Sequence, residues 1–405
     1  MYKHIVVAID NSDCSNYGID IGVSLAKEFG AKIVGTHVFA ARLHDARFRQ
    51  MEPGLPDQYQ REDELARQRR IHDSLIGKGL QLISDSYLTG FREKCQQMSV
   101  ENEVKTPEGR NHEELIKDIR ASEYDLAIIG AFGLGRASHS IIGSVCERVT
   151  RNVSCDVLIV KDSAALAGSR LLVAVDGSSC SFAALHKALA LSRAFGCQVE
   201  AVAVYDPFFH SVAFGSIAKV LSEEAGKVFR FREQEKLHDE IIDQGLMKLY
   251  AAHLERAKAV AADRGIELTT SLLAGKSFDK ILEFLEERSF NFLLMGRFGL
   301  HYCDGLDIGG TAENLVRLAP TNVLVVGDGQ SRANDVVQSK QNDAAVAPPK
   351  AKGLPWTPEA EGMLQRVPPF AQSMARRAIE EMAREKGYSA VTPEAVAEAR
   401  RRMGM

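Results

Sequence analysis

Apolar residues recur along the chain in short unbroken runs, among them IVVAI at 5–9, LAII at 126–129 and VLIV at 157–160. Runs of this length, bounded by turn residues, read as strands covered on both faces of a parallel sheet. Between them the apolar positions recur every three or four residues, which is the period of a helix packed along one side. Strand one is expected at 4–10. A helix capped by Ser12 or Asp13 follows it to about Phe29, where Gly30 ends it. KIVGTHVF forms strand two, and a charged segment from Arg42 to Gln97 follows, with RLHDARFRQMEPGLPDQYQRED as an irregular excursion before a long helix. Strand three is placed at Ser99 to Lys105, a helix after Gly109, strand four at 125–129, then a loop and helix, and CDVLIV at 155–160 closes the unit.

The pattern then repeats. Asp10 and Asp176, Gly30 and Gly196, Val38 and Val204, Gly109 and Gly275, Gly130 and Gly296, and Gly143 and Gly309 are each 166 residues apart. A constant offset over so many landmarks means a duplicated unit with almost no net insertion. The predicted fold class is therefore α/β: two tandem, doubly wound, Rossmann-like parallel-sheet domains at 1–165 and 166–327, with a small all-α domain behind them. The second excursion, DPFFHSVAFGSIAKVL, is far more apolar than the first, and Phe208, Phe209, Val212 and Phe214 read as lid residues packing on their own domain. Residues 328–353 have the polar, Ala-, Gln- and Pro-rich composition of a flexible linker. In 354–405, Thr357-Pro358-Glu359-Ala360 and Thr392-Pro393-Glu394-Ala395 are two copies of a helix-start signal. Between them Pro369 opens a helix with Phe370, Met374, Ala378 and Met382 on one side, stopped by Gly387, so that three helices make up the tail.

Composition narrows the function classes. With 405 residues, 45% hydrophobic and 26% charged, the chain is that of a soluble globular protein of more than one domain. A net charge of −4 without a long basic run argues against nucleic acid or an anionic membrane as partner. The seven cysteines, at 14, 95, 146, 155, 180, 197 and 303, form neither CxxC pairs nor a disulfide framework, which fits free thiols in a reducing cytoplasm. Met1-Tyr2-Lys3 leads directly into a strand pattern, with no signal sequence expected, and no apolar run approaches the roughly 18 residues that span a bilayer.

The chemistry concentrates between Ala127 and Ser144, AIIGAFGLGRASHSIIGS. Gly130 and Gly133 let the chain turn after a buried strand with backbone N–H groups exposed, and Gly143 and Ser144 open a helix. A strand, a glycine loop and a helix N-terminus form an anion cradle, and a nucleotide phosphate is the anion that suits it. The spacing G-x2-G-x9-G-(S/T) resembles the loop of the ATP-binding branch of the universal stress protein family, and the resemblance covers residues 1 to about 327. It implies ATP, or ADP or AMP, held by Asp10, Val38, Gly130, Gly133, Gly143 and Ser144, with Asp176, Val204, Gly296, Gly299, Gly309 and Thr311 as the second set. The second loop departs from the pattern: Gly310 stands at the place of Ser144, with Thr311 one residue later, and Cys303, Asp304 and Asp307 bring carboxylates next to phosphate. A divalent cation such as Mg²⁺ would have to lie between them. No metal site of the protein's own is expected.

Gly275-Lys276-Ser277 looks like the end of a Walker loop, but Thr270 stands where the first glycine is required, so it reads as a helix start. No HExxH, GxSxG or positioned general base occurs, and no catalytic residues are assigned. His37 reads as a satisfied strand-end histidine, and Arg136 and His139 as phosphate neighbours or solvated loop residues. Cys14 and Cys180, also 166 apart, each lie in the first turn of a helix, where the dipole favours a thiolate, and are candidate redox thiols. The tail resembles the C-terminal helical domain of the B subunit of light-independent protochlorophyllide reductase, through Trp356, Val367-Pro368, Phe370, Arg377, Gly387 and Val391-Thr392-Pro393-Glu394. Residues 328–405 hold no cysteine, so no iron–sulfur cluster comes with it. The resemblance implies a docking module for a protein partner such as a redox or tetrapyrrole enzyme. In single-domain relatives the last strands pair across a dimer dyad. Strands 156–160 and 322–326 would do so here within one chain, giving a pseudo-dimer that could itself pair as a homodimer. The whole reads as a non-enzymatic, ATP-binding stress-response regulator. Its rivals are an ATP-hydrolysing or adenylating enzyme of the related ATP-pyrophosphatase type and a structural adaptor with vestigial sites.

Overall fold

The computed structural model describes residues 1–207, 216, 217, 233, 243–300, 302, 305, 307–327, 354–364, 376, 379, 380, 382–384, 386 and 388–402. The lid residues Phe208, Phe209, Val212 and Phe214, the linker 328–353, Cys303 and Asp304, and Val367, Pro368, Pro369, Phe370, Met374, Arg377, Ala378 and Gly387 lie outside the described residues.

Ten strands form one sheet in the order β3-β2-β1-β4-β5-β10-β9-β6-β7-β8. In the first half these are β1 (His4–Ala8), β2 (Lys32–Thr36), β3 (Asn102–Lys105), β4 (Leu126–Gly130) and β5 (Asp156–Val160). The second half supplies β6 (Arg170–Ala174), β7 (Gln198–Tyr205), β8 (Thr269–Ala274), β9 (Phe292–Gly296) and β10 (Asn322–Val326). Within each half every pair is parallel, as between β1 and both β2 and β4. The halves meet where β5 and β10 run antiparallel, with Val157 opposite Val325, Leu158 opposite Leu324 and Ile159 opposite Val323. That pairing leaves neither last strand as an open edge.

The two faces of the inner strands are buried in different cores, which is why those strands read as unbroken apolar runs. Ile5, Val7, Ile33, Leu126 and Ile128 face the helices Asp13–Phe29 and Glu62–Gln97, through residues such as Ile19, Val23, Leu88 and Phe91. Val6, Ala127, Ile129, Val157 and Ile159 face Asn111–Ala121 and Ser144–Asn152, through Leu115, Ile119, Cys146 and Val149. Helix Asp13–Phe29 starts where the Ser12 side chain accepts from the Ser15 amide, and stops where Gly30 takes a left-handed conformation at φ 63°. Ser178 and Gly196 repeat both caps around helix Ser179–Phe195.

The excursion after β2 differs from the irregular stretch expected. Residues Ala41–Met51 form a helix with an Arg49–Asp45 ion pair one turn apart; Pro53 and Pro56 then confine the break to a few residues before the 36-residue helix Glu62–Gln97. Of that long helix, Ser84, Leu88, Phe91 and Cys95 are buried, whereas Ile71, Leu75 and Leu82 are exposed.

Contacts across the pseudo-dyad are symmetric at one pair of arginines and depart from symmetry elsewhere. Arg317 pairs with Glu147, and its repeat counterpart Arg151 with Glu313 at 2.9 Å. Arg297, whose counterpart is Ala131, is fully buried and donates to the carbonyls of Thr150 and, at 3.3 Å, Cys155 in the first half. The Lys161 amine donates to the carbonyls of Val316 and Ala319 at 2.8 and 2.6 Å, at the C-terminal end of helix Gly310–Leu318. Its counterpart is Gly327, where a Cβ would fall 2.1 Å from the Ser154 carbonyl. Asn322 and Asp156 are counterparts that still play one role: the first accepts the Lys161 amide at 2.7 Å and the second the Gly327 amide at 2.9 Å.

The chain divides into two compact units, one comprising Met1–Phe208 and Gln244–Arg332 and thus both halves of the sheet. The described C-terminal residues belong to the other. Helices Pro358–Leu364 and Pro393–Arg402 are capped by the hydroxyls of Thr357 and Thr392. Ala360, Leu364, Ile379, Met382, Val391 and Val396 form their own buried cluster, and the Trp356 indole donates to Glu380 at 2.8 Å.

Candidate functional site

In an open sheet of order 3-2-1-4-5 the direction of winding reverses between β1 and β4, and a crevice opens there beyond the carboxyl ends of the strands. A cleft of about 710 Å³ occupies this place in the first half. Asp10, Val38, Gly130, Gly133, Gly143 and Ser144 all line it. They arrive from three strand ends and one helix start. In the second half Asp176, Val204, Gly296, Gly299, Gly309 and Thr311 line a smaller cleft of about 250 Å³.

Each aspartate is held in place by its own loop. Asp10 Oδ1 accepts from the Ser12 amide and hydroxyl at 3.0 and 2.6 Å, and the same hydroxyl reaches the Phe132 carbonyl at 3.1 Å. That ties strand one to the glycine loop. A Cβ at Gly133 would fall 2.5 Å from Asp10 Oδ2, and one at Gly299 2.6 Å from Asp176 Oδ2, so a larger residue at either place has to push the carboxylate aside. A Cβ at Gly143 would meet the Ala131 carbonyl at 2.9 Å, the acceptor of the Gly143 amide at 2.7 Å. Gly143 and Gly309 are the N-caps of helices Ser144–Asn152 and Gly310–Leu318, and neither helix start carries a side-chain cap. Their first-turn N–H groups are thus left to whatever enters the cleft. In the second cleft the Leu300 amide donates to Asp176 Oδ2 at 2.9 Å, so that carboxylate is the more fully engaged.

The first cleft is walled on its outer side by the excursion: His44 from one helix, Leu80, Ile83 and Tyr87 from the long one. His37 is fixed by Ser84 Oγ at 2.8 Å and lies edge-on to Tyr87, and burial lowers its pKa. Arg136 lines the cleft with its guanidinium over the Phe132 ring at 3.9 Å, whereas His139 does not line it. Cys14 is half-buried, with Sγ 3.7 Å from the Lys161 carbonyl, and Cys180 is buried; neither lines a cleft. Asp307, expected to repel phosphate in the second loop, is instead neutralised by Arg151 at 2.6 Å, which holds its carboxyl below the usual range. It does not line the cleft.

Lining residues outside the motif include a matched pair. Asn111 and Ser277 are repeat counterparts and open the helices Asn111–Ala121 and Ser277–Glu287 at the clefts' edges. The Gly109 and Gly275 landmarks immediately before them were the available signal. The second cleft is also lined by Tyr250, Phe298 and Tyr302, and the first by Phe39, Tyr87 and Phe132. Among the described residues one trio, Asp45, His72 and Asp73, brings ligand-type atoms within 4.8 Å of one another, away from both clefts, with Asp45 already engaged by Arg49. No helix among the described residues is long and apolar enough to cross a membrane.

Two doubly wound halves, each with a glycine loop and a helix start without a side-chain cap at the switch point, define a tandem α/β protein. The chain belongs to the universal stress protein family, whose profile matches residues 1–161 and again 169–327. The profile of the proto-chlorophyllide reductase 57 kD subunit matches 356–400. A universal stress protein of Methanocaldococcus jannaschii is 26% identical over 162 residues, 39% of this chain and 81% of that protein. The crystal structure of a universal stress protein from Archaeoglobus fulgidus shares the fold with a TM-score of 0.53 at 18% identity, over 80% of this chain and 98% of that one. A functionally unknown protein from Pseudomonas aeruginosa does so with a TM-score of 0.50 at 13% identity, over 85% and 98%.

Proposed function

We propose that the protein is an adenine-nucleotide-binding regulator of the stress response, with ATP taken in the first cleft and the C-terminal helices serving as a docking module for a protein partner. The carrying observation is the convergence of Asp10, Val38, Gly130, Gly133, Gly143 and Ser144 on one cleft of about 710 Å³. Asp10 is placed for the ribose and the Val38 backbone for the base. The N–H groups from Gly133 to the uncapped start of helix Ser144–Asn152 receive the phosphates. Arg136 adds positive charge at the phosphate end.

We read this arrangement as a binding site rather than a catalytic one. The second cleft, of about 250 Å³, is the more restricted ligand site, and Thr311 is its only hydroxyl in the first turn of the loop helix.

Calorimetry of the purified chain with ATP tests the reading. Gly133→Val drives a side chain against Asp10 and into the phosphate path and should weaken binding at least tenfold, about 1.4 kcal/mol. Absence of adenine-nucleotide binding at millimolar ligand in the unsubstituted chain would refute the assignment.

A further inference from the structure

The constant offset of the repeat allows every contact between the halves to be compared with its counterpart. Arg151 and Arg317 are counterparts, as are Glu147 and Glu313, and each arginine meets the glutamate of the other half. Two contacts made by the second glycine loop have no counterpart among the described residues. Asp307, in the second glycine loop, is gripped by Arg151 at 2.6 and 3.3 Å; the residue at its place in the first loop is Ile141, which is exposed and cannot be gripped by an arginine. Arg297, at the start of the second loop, donates to the Thr150 and Cys155 carbonyls, and its place in the first loop is taken by Ala131. The second loop is thus tied near both ends to helix Ser144–Asn152 and the turn after it, whereas Ala131 and Ile141 cannot tie the first loop in the same way.

That helix is the one whose first residues, Gly143 and Ser144, line the first cleft. A nine-residue helix moves as a rigid rod, so a shift imposed at Ser144 is felt at Arg151 two turns on. Building on the nucleotide reading above, we propose that occupancy of the first cleft is coupled to the second loop through the Arg151–Asp307 pair, with Arg297 as the fixed anchor. Arg151 and Asp307 are then positioning residues for the second cleft. Because linkage is reciprocal, a ligand in the second cleft changes affinity in the first by the same factor.

The test uses the full chain carrying Gly299→Val, which fills the space beside Asp176 and leaves the first cleft as the site for ATP. Calorimetry reports binding, and hydrogen exchange of the peptides covering 297–309 is followed with and without ATP in the same protein. The expected result is an ATP-dependent change of threefold or more in exchange rate. It should be lost when Arg151→Met is added and equally when Asp307→Asn is added, since the second cuts the link from the loop side and leaves Glu313 untouched. Arg317→Met, which removes a cross-dyad pair that does not reach the loop, should preserve it. Binding without any change at 297–309 would overturn the coupling, as would a change that survives both Arg151→Met and Asp307→Asn. Loss of the change in Arg317→Met would also overturn it, by showing general loosening of the interface. No ATP binding at all, in this chain or the unsubstituted one, would instead sink the nucleotide reading and the coupling with it.

Discussion

Lys161 shows what a single residue contributes at the junction of the halves. Its amine is buried against two carbonyls at a helix C-terminus, and burial pushes its pKa down to about 8 from the ordinary 10.5. The folded chain therefore gives up this proton at lower pH than the unfolded chain does. Between about pH 8 and 10.5 the unfolded chain binds more protons, so this group's contribution to stability rises with pH across that window. Urea unfolding of the protein and of Lys161→Met at pH 7.5 and pH 10 should show the native residue gaining, relative to methionine, on the order of 1–3 kcal/mol at the higher pH. An equal difference at both values would mean that Lys161 titrates normally. Residues like this were invisible in the sequence, and so was Arg297. Their partners are backbone carbonyls of the other half, and a carbonyl leaves no residue type to recognise. The clefts were legible for the opposite reason: a site lined by backbone demands glycine, and Gly133 and Gly299 stand where a Cβ would strike an aspartate.

At the scale of elements, the helix Glu62–Gln97 is two helices in one. Its last turns place Leu88, Phe91 and Cys95 in the core, and Phe91 lies so close to β2 that a Cβ at Gly35 would come within 2.7 Å of its ring. The earlier turns carry Ile71, Leu75 and Leu82 outward. Phe91→Ala should cost roughly 3–5 kcal/mol, and Leu75→Ala within about 0.5, in thermal or urea unfolding. Comparable losses at the two positions would show that the exposed turns are covered in solution. The periodicity of the long helix was readable, but its neighbour Ala41–Met51 was not, because the prolines at 53 and 56 drew the whole stretch into an apparent loop. Strands one and two were read longer than they are. Ile9 and Val38 continue the apolar pattern, but with Asp10 and His37 they lie beyond the last strand residues and line the cleft.

At the scale of the molecule, the repeat offset predicted the plan of the sheet because duplicated strands must order themselves alike. It could not say how the halves differ where they touch. The tail is the other large-scale feature. Its cluster around Ala360, Met382 and Val391 closes on itself, and both helix starts carry their own threonine caps. Deleting 340–405 should therefore leave ATP affinity unchanged within twofold and the melting temperature of the remainder within a few degrees. A substantial fall in either would show that the tail is part of the sheet-bearing body rather than separable from it.

The unequal counterparts along the dyad also say something about descent. In a dimer of identical chains every substitution near the axis is made twice, and a residue that fits on one side must be tolerated on the other. Once two copies share a chain that constraint lapses. Arginine stands at 297 where position 131 is alanine, and lysine at 161 where 327 is glycine. Each such difference makes the halves better partners for one another and worse partners for themselves. Neither half could therefore make with a second copy of itself the set of contacts it makes with the other.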